Sequence, residues 1–168
     1  MFYSHLNYGC QIWGQNMKEA SKTFSLQKKA LRIITFSNFN DNALPLFKEL
    51  HMLKLTDIIN LNNCLLAHNV INNKVPNNLK QFLTQSNQGH QLQTKLSLLG
   101  SVNLPLPRID YGKFSIRYQA AQEWNKIIDK LNDLYKPKNI TAPNYPWIQQ
   151  LSSASFKRLL IEYYISQV

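Results

Sequence analysis

The alternation of apolar and polar residues along the chain predicts a mostly helical protein. Two segments have the clearest helical period, residues 16–36 and residues 114–131. In the second segment the apolar residues recur every three or four positions, and the polar residues fall on the opposite side. The predicted apolar stripe consists of Ile116, Ala120, Trp124, Ile127, Ile128 and Leu131. This pattern is typical of a helix with one side against a core.

Weaker patterns predict further helices at residues 43–50, 57–72, 76–83 and 152–165. Thr56-Asp57 is expected to cap the second of these, which is apolar on several sides, as a central helix is. Ser152 or Ser153 is expected to cap the last one. His68 within it is expected to be a hydrogen-bonded core residue rather than a ligand. Because no stretch alternates with period two, we expect an irregular bundle of about five to six helices with a long polar loop.

Polar segments suggest how the chain is organised. Residues 84–103 are rich in Gln, Ser and Asn, and Leu104-Pro105-Leu106-Pro107 is predicted to be an extended arm because proline disfavours helix in the preceding residue. The sequence therefore predicts a basic helical region at 1–84, a polar connector at 85–113 and a C-terminal helical extension at 114–168. We expect the three parts to form one compact unit, with a proline-containing loop at 136–147.

Charge gives the main indication of partners. The formal net charge is +10, and such a balance favours polyanions, chiefly nucleic acid, through phosphate contacts. In the first strong helix the cations fall within one arc of roughly 120°. They are Lys18, Lys22, Lys28, Lys29 and Arg32. The apolar residues of that helix, Ile33 and Ile34 among them, are expected to face the core. The basic arc is either a solvated face or a surface for phosphates, and both interpretations stay open.

Arg117 is the one charged residue that departs from its helical pattern. It falls between Trp124 and Ile128 on the apolar side, so we expect a buried guanidinium. A buried guanidinium requires partners such as a carboxylate, carbonyls or a phosphate. Two roles are open: an internal arginine stacked on Trp124, or a phosphate clamp on a template or primer.

Composition argues against several classes of function. Two cysteines and four histidines fall at no ligand spacing, so we expect no metal site, no cofactor and no disulfide framework. No two acidic residues adjoin, and no Gly-rich phosphate loop occurs. No apolar run approaches the roughly 18 residues of a membrane span, and no secretory signal is visible. The expected location is intracellular, nuclear or cytoplasmic, without membrane contact.

An ordered set of motifs covers most of the chain. Tyr8-Gly9-Cys10 and Trp13-Gly14 precede Leu26-Gln27-Lys28-Lys29-Ala30-Leu31-Arg32; Phe114-Ser115-Ile116-Arg117-Tyr118, Trp124-Asn125 and Phe156-Lys157 follow. This order resembles the segment after the polymerase domain in reverse transcriptases of non-LTR retrotransposons, the Jockey-like and related LINE elements. The resemblance implies a thumb-like region followed by a C-terminal extension. It implies packing and turn roles for Tyr8, Gly9, Trp13 and Gly14, and it places Gln27, Lys28, Lys29 and Arg32 nearest the template–primer duplex.

The resemblance implies a truncated C-terminal fragment of an RNA-directed DNA polymerase. Such a fragment would contact RNA or an RNA/DNA duplex through phosphates, and its other partner would be the remainder of the reverse transcriptase in the parent protein. It would not be an enzyme by itself, because the paired aspartates of the catalytic palm are not in this sequence. Two alternatives remain: a helical protein-interaction module without nucleic-acid binding, and an enzyme with convergent polar groups in a pocket.

Overall fold

The computed structural model describes residues 2–84, 100–135 and 147–167. These residues are mostly helical, as predicted, and contain seven α-helices and no strand. The helices are α1 (Phe2–Asn7), α2 (Cys10–Trp13), α3 (Met17–Ile34), α4 (Leu44–Glu49), α5 (Leu55–Ile71), α6 (Ile116–Tyr135) and α7 (Ser153–Ser166). Three short 3-10 helices span Asn77–Leu79, Asp110–Phe114 and Trp147–Gln150. Most of the predicted polar loop and of the proline-containing loop lies outside the described residues.

Residue contacts divide the chain into two compact units. Unit 1 comprises Met1–Asn62 and Arg158–Val168, and unit 2 comprises Asn63–Lys157. The division at 1–84, 85–113 and 114–168 that composition suggests stays a prediction. Each unit is described by itself below.

In unit 1, α3 packs against α4 through a small apolar cluster. Leu31 from α3 is fully buried together with Phe47 from α4, and Ala43 before α4 closes the cluster. The rings of Phe24 and Phe47 lie with their centroids 6.1 Å apart. Since α4 has only six residues, it covers only a narrow strip of the 18-residue α3.

Gln27 links α3 to the start of α5 through two hydrogen bonds. Its side chain is fully buried, its Nε2 donates to the Leu53 carbonyl at 2.9 Å, and its Oε1 accepts the Leu55 N–H at 2.9 Å. That N–H belongs to the first turn of α5 and has no partner within its own helix. The helix therefore begins at Leu55 rather than after the predicted Thr56-Asp57 cap. Gln27 is an internal structural residue, so the expectation that it faces nucleic acid is wrong.

The glycine motifs before α3 form a turn and a close contact. Gly9 has a φ of 60°, in the left-handed region that favours glycine. A Cβ at Gly14 would stand 2.5 Å from the Cys10 carbonyl oxygen. Trp13 donates from Nε1 to the carbonyl of Tyr8 at 2.9 Å, which braces the turn. The Tyr8 side chain is 85% exposed, so its expected packing role is wrong.

Three helices end in the same hydrogen-bonded motif without a glycine. After α3, the Phe36 N–H donates to the Ile33 carbonyl and the Ser37 N–H to the Arg32 carbonyl. This pair of bonds defines a Schellman motif, whose left-handed residue is usually glycine. The corresponding residues here are Phe36, His51 and Asn73, with φ values of 53°, 48° and 55°.

In unit 2, the predicted apolar stripe of α6 is buried from Ala120 onward, whereas its first residue, Ile116, is only partly buried. Trp124 is fully covered and donates from Nε1 to the Gly100 carbonyl at 3.0 Å. His68 of α5 is also fully buried, and its ring stacks on Phe156 at 4.5 Å between centroids. Asn72 lies 3.2 Å from the His68 Nε2, which confirms a hydrogen-bonded core histidine. The other buried residues of the stripe are Ala120, Ala121, Ile127, Ile128 and Leu131.

The final helix also agrees with its sequence pattern. The Ser152 hydroxyl accepts the Ser155 N–H at 3.1 Å, which is the predicted N-cap. Phe156, Leu160 and Tyr163 are buried along one side of α7. None of the helices in the described ranges combines the length and apolarity that crossing a membrane requires.

Candidate nucleic-acid interface

The candidate interface is built on α3, which carries five of the six predicted site residues. Asn16 caps this helix by accepting the Lys18 N–H at 3.1 Å. Because Gln27 and Leu31 face inward, residues on the opposite side of the helix turn to solvent. Lys18, Lys22 and Lys29 are exposed there, as the sequence predicted. At about 100° per residue these three lysines fall within an arc of about 40°.

Lys28 and Arg32 lie at the edge of this surface and are half-buried against aromatic rings. The Lys28 Nζ is 4.3 Å from the centroid of the Phe24 ring. The Arg32 Cζ is 5.9 Å from the centroid of Phe39, and its Nε donates to the Asp41 carbonyl at 3.0 Å. These contacts restrict both cations in position. Arg32 is therefore held beside the turn that follows α3.

Three aliphatic side chains of α3 face solvent rather than the core. Ile33 is 74% exposed, Leu26 is 60% exposed and Ile34 is 55% exposed. The expectation that Ile33 and Ile34 pack inward is wrong, because α4 and the start of α5 cover only the strip around Gln27 and Leu31. The exposed side of α3 thus carries Leu26 and Ile33 among its lysines.

A groove of about 500 Å³ lies at the C-terminal end of α3. Its lining residues are Lys29, Arg32, Ile33, Phe36, Ser37 and Phe39. Phe36 is 96% exposed and Phe39 is 73% exposed, so both rings present their surfaces to the groove and to solvent. Sequence reasoning missed this pair. The available signal was two phenylalanines flanking a polar turn directly after a basic helix.

The electrostatics of the groove are positive. Among the carboxylates whose side chains the structure describes, none forms an ion pair with Lys29 or Arg32. The nearest acidic residue along the chain, Asp41, uses one carboxylate oxygen to accept the Asn38 N–H at 2.7 Å. That bond fixes the turn and leaves two cations beside two exposed rings.

Arg117 does not occupy the buried position that its helical angle predicts. Its side chain is exposed, so it is not an internal arginine stacked on Trp124. The physical reason is its place in the first turn of α6, where the covered stripe has not yet begun. The stripe begins at Ala120, and a long side chain before it reaches water and avoids the free-energy penalty of burying a charge. Arg117 belongs to unit 2, whereas the other five candidates belong to unit 1.

Other kinds of chemistry have little support in the described part of the chain. No group of three or more His, Cys, Asp or Glu residues there could hold a metal ion. Cys10 and Cys64 are both buried thiols. Burial raises the pKa of Cys10 and so disfavours the thiolate that nucleophilic chemistry needs. The hydrogen bond that Asn62 Nδ2 donates to the Cys10 Sγ opposes this effect only in part.

The basic and aromatic surface of α3 is therefore the feature of this chain that best fits a binding role. Its elements are exposed lysines in one arc, a positioned arginine and a groove with two exposed rings. Comparisons of the chain with protein-family models, curated proteins and solved structures found no match.

Proposed function

We propose that this chain corresponds to the post-polymerase segment of a non-LTR retrotransposon reverse transcriptase and binds nucleic acid through α3. In this role Lys18, Lys22 and Lys29 contact phosphates of RNA or of an RNA/DNA duplex. Lys28, Arg32 and Arg117 are further candidates. A protein with this role would act in the nucleus or cytoplasm, beside the polymerase domain of its parent protein.

One observation carries the proposal: the solvent side of α3 holds three exposed lysines in one narrow arc. They are four and seven residues apart, about one and two helical turns, and this spread along the 18-residue helix matches an extended polyanion better than a point ligand. Lysines on phosphates hold a protein on a strand without reading its sequence. We therefore expect binding that depends strongly on salt and weakly on base sequence. We expect no primer extension from this chain alone.

The test is a salt series with a fluorescein-labelled RNA/DNA duplex, read by fluorescence anisotropy. In the triple variant Lys18→Gln/Lys22→Gln/Lys29→Gln, the slope of log affinity against log salt should become shallower by roughly 0.7–0.9 for each phosphate contact removed. The fold should survive, because exposed substitutions usually change stability by less than about 0.5 kcal/mol each.

A second triple variant controls for net charge. Lys48, Lys80 and Lys130 are exposed lysines outside α3, and their replacement by Gln removes the same number of charges. This variant should keep the wild-type slope. Equal slopes in the two triple variants would show that only total charge matters, and this result would refute the proposed binding surface.

One observation favours a second candidate, a helical protein-interaction module. Leu26 and Ile33 are exposed on the same side of α3 as the lysines, and Ile12 of α2 is 76% exposed. Exposed apolar residues in a row are typical of a helix that docks on a protein. This function predicts negligible duplex affinity and complex formation that Leu26→Ser/Ile33→Ser disrupts. Strong duplex binding unaffected by that double variant would argue against it.

A further inference from the structure

We propose that the groove after α3 binds a segment of single-stranded nucleic acid, with one base stacked on Phe36 and Phe39. The phosphates next to that base would contact Lys29 and Arg32. This inference rests on the proposed function and deepens it, because it names the form of nucleic acid and adds two aromatic residues to the site. Lys29 belongs to both surfaces, and the contacts that distinguish the groove are those of its two rings.

The first support is the conformation of Phe36. The Schellman motif holds this residue at a φ of 53°, a region that residues other than glycine, asparagine, aspartate and histidine rarely adopt. Its ring is 96% exposed, so packing does not compensate for the strained backbone. Neither conformation nor core packing therefore accounts for a phenylalanine at this position. A ligand that covers the ring would.

The second support is the arrangement around Phe39. Its ring is 73% exposed, and the guanidinium of Arg32 lies 5.9 Å from its centroid. The Arg32 Nε is bound by the Asp41 carbonyl, which holds the guanidinium beside the ring. A flat apolar surface next to a fixed cation suits a nucleotide, which presents a flat base beside a phosphate. Arg32 can also stack on the base through its planar guanidinium.

The charge and the shape of the groove both favour a single-stranded nucleic acid as its ligand. The groove holds two cations that form no ion pair with any carboxylate whose side chain the structure describes, so its charge complements a polyanion. Bases inside a duplex already stack on their neighbours, and only single strands offer free faces to a protein ring. The rings and cations of this groove therefore match a single strand better than a duplex.

Binding of three 12-nucleotide probes to the full chain, measured by fluorescence anisotropy, tests this inference. The probes are a thymidine strand, an abasic strand with the same phosphates, and a duplex. The wild-type chain should bind the thymidine strand about fivefold or more tightly than the abasic strand, since each stacked base contributes substantially to affinity. The salt slopes of the two strands should be equal, because their phosphate contacts are the same.

Two substitutions at equivalent backbone positions separate binding from conformation. Phe36→Asn and His51→Asn each place an asparagine in the left-handed residue of a Schellman motif. Both should raise Tm by a few degrees, because asparagine tolerates this conformation better. Only Phe36→Asn should lose the preference for the base-bearing strand. Phe39→Leu, which keeps an apolar side chain but removes the ring, should also reduce that preference.

The outcomes separate this inference from the proposed function. Salt-dependent binding of duplex and both strands, with no preference for bases, would overturn the stacking groove and leave the phosphate surface standing. No binding of any probe would overturn both. A base preference that Phe36→Asn and Phe39→Leu leave unchanged would place the stacking elsewhere. Dimerisation of the wild-type chain that Phe36→Asp abolishes, without strand binding, would assign the groove to a second copy.

Discussion

Helices α3 and α6 have similar amphipathic patterns and different surroundings. In α6 the apolar stripe from Ala120 to Leu131 is covered, and Trp124 and Ile128 are fully buried. In α3 the covered strip is narrow, and Ile33 remains 74% exposed although it belongs to the same kind of pattern. Periodicity therefore indicates which side of a helix is apolar but not how much of that side folding covers.

The difference separates two uses of apolar residues. Those on α6 stabilise unit 2 by leaving water, and each buried isoleucine or leucine contributes roughly 1.5–3 kcal/mol. Those on the solvent side of α3, such as Leu26 and Ile33, contribute little to folding and are interspersed with lysines. An uncovered row of this kind is typical of a surface that binds a partner.

The largest expected effect separates the two helices by stability. Ile128→Ala should reduce the free energy of unfolding by about 2–5 kcal/mol, because it removes a fully buried side chain and leaves a cavity. Ile33→Ala, the same substitution at an exposed position, should change it by no more than about 0.5 kcal/mol. Urea unfolding followed by circular dichroism measures both. Similar losses of stability in the two variants would contradict the proposed difference between α3 and α6.

A second prediction compares two side-chain amides that bind backbone groups. Gln27 binds the Leu53 carbonyl and the Leu55 N–H, whereas Asn125 binds both the N–H and the carbonyl of Val102. Gln27→Leu should destabilise the protein by about 2–4 kcal/mol, because it leaves two buried backbone groups without partners. Asn125→Leu should have a smaller effect, since Asn125 is only partly buried. Urea unfolding that ranks the variants in the opposite order would contradict this account.

A third prediction concerns His68 in the core of unit 2, where we expect the smallest change in the free energy of unfolding. Burial lowers the pKa of His68 below its ordinary value, and the charge of Lys74 adds to that effect. The folded protein therefore keeps His68 neutral where the unfolded chain would protonate it. Stability due to this group is complete above the unfolded pKa of about 6.5. It falls as pH decreases toward the folded pKa, by up to about 1.4 kcal/mol per pH unit.

The variant His68→Phe isolates this contribution. Phenylalanine preserves the stack on Phe156 and cannot titrate. Urea unfolding at pH 7.5 and pH 5.5 should show a larger loss of stability for the wild-type chain than for the variant. The same loss in both would mean that His68 does not carry the pH dependence.

The sequence predicted the helices well where the local spacing of apolar and polar residues determines the structure. The stripe of α6 from Ala120 onward, the serine cap of α7 and the core position of His68 are confirmed. Each depends on local spacing, which a sequence displays directly. The bulk of α5 was also predicted, although its start was displaced because the Leu55 N–H is bound by Gln27, a residue 28 positions away.

The remaining differences between prediction and structure arise from how much of each helix its neighbours bury, and from backbone conformation. Arg117 has the helical angle of a buried residue, but it stands in the first turn, before the covered stripe begins. Ile33 and Ile34 are exposed because α4 is too short to cover them. The left-handed residue at the end of α3 is Phe36 rather than a glycine, so the sequence did not indicate this helix end and the exposed ring was not predicted. These properties depend on neighbouring elements, which periodicity does not encode.

The central claim is that the uncovered side of α3 binds nucleic acid. The most direct test is a titration of the ¹⁵N-labelled chain with a 12-nucleotide single strand, followed by amide chemical shifts. We expect the shifts to concentrate on α3 and the turn after it, from Lys18 to Phe39. The amides of α6 between Ala120 and Leu131 should stay unchanged. Shifts concentrated on α6, or no shifts anywhere at saturating strand, would contradict the claim.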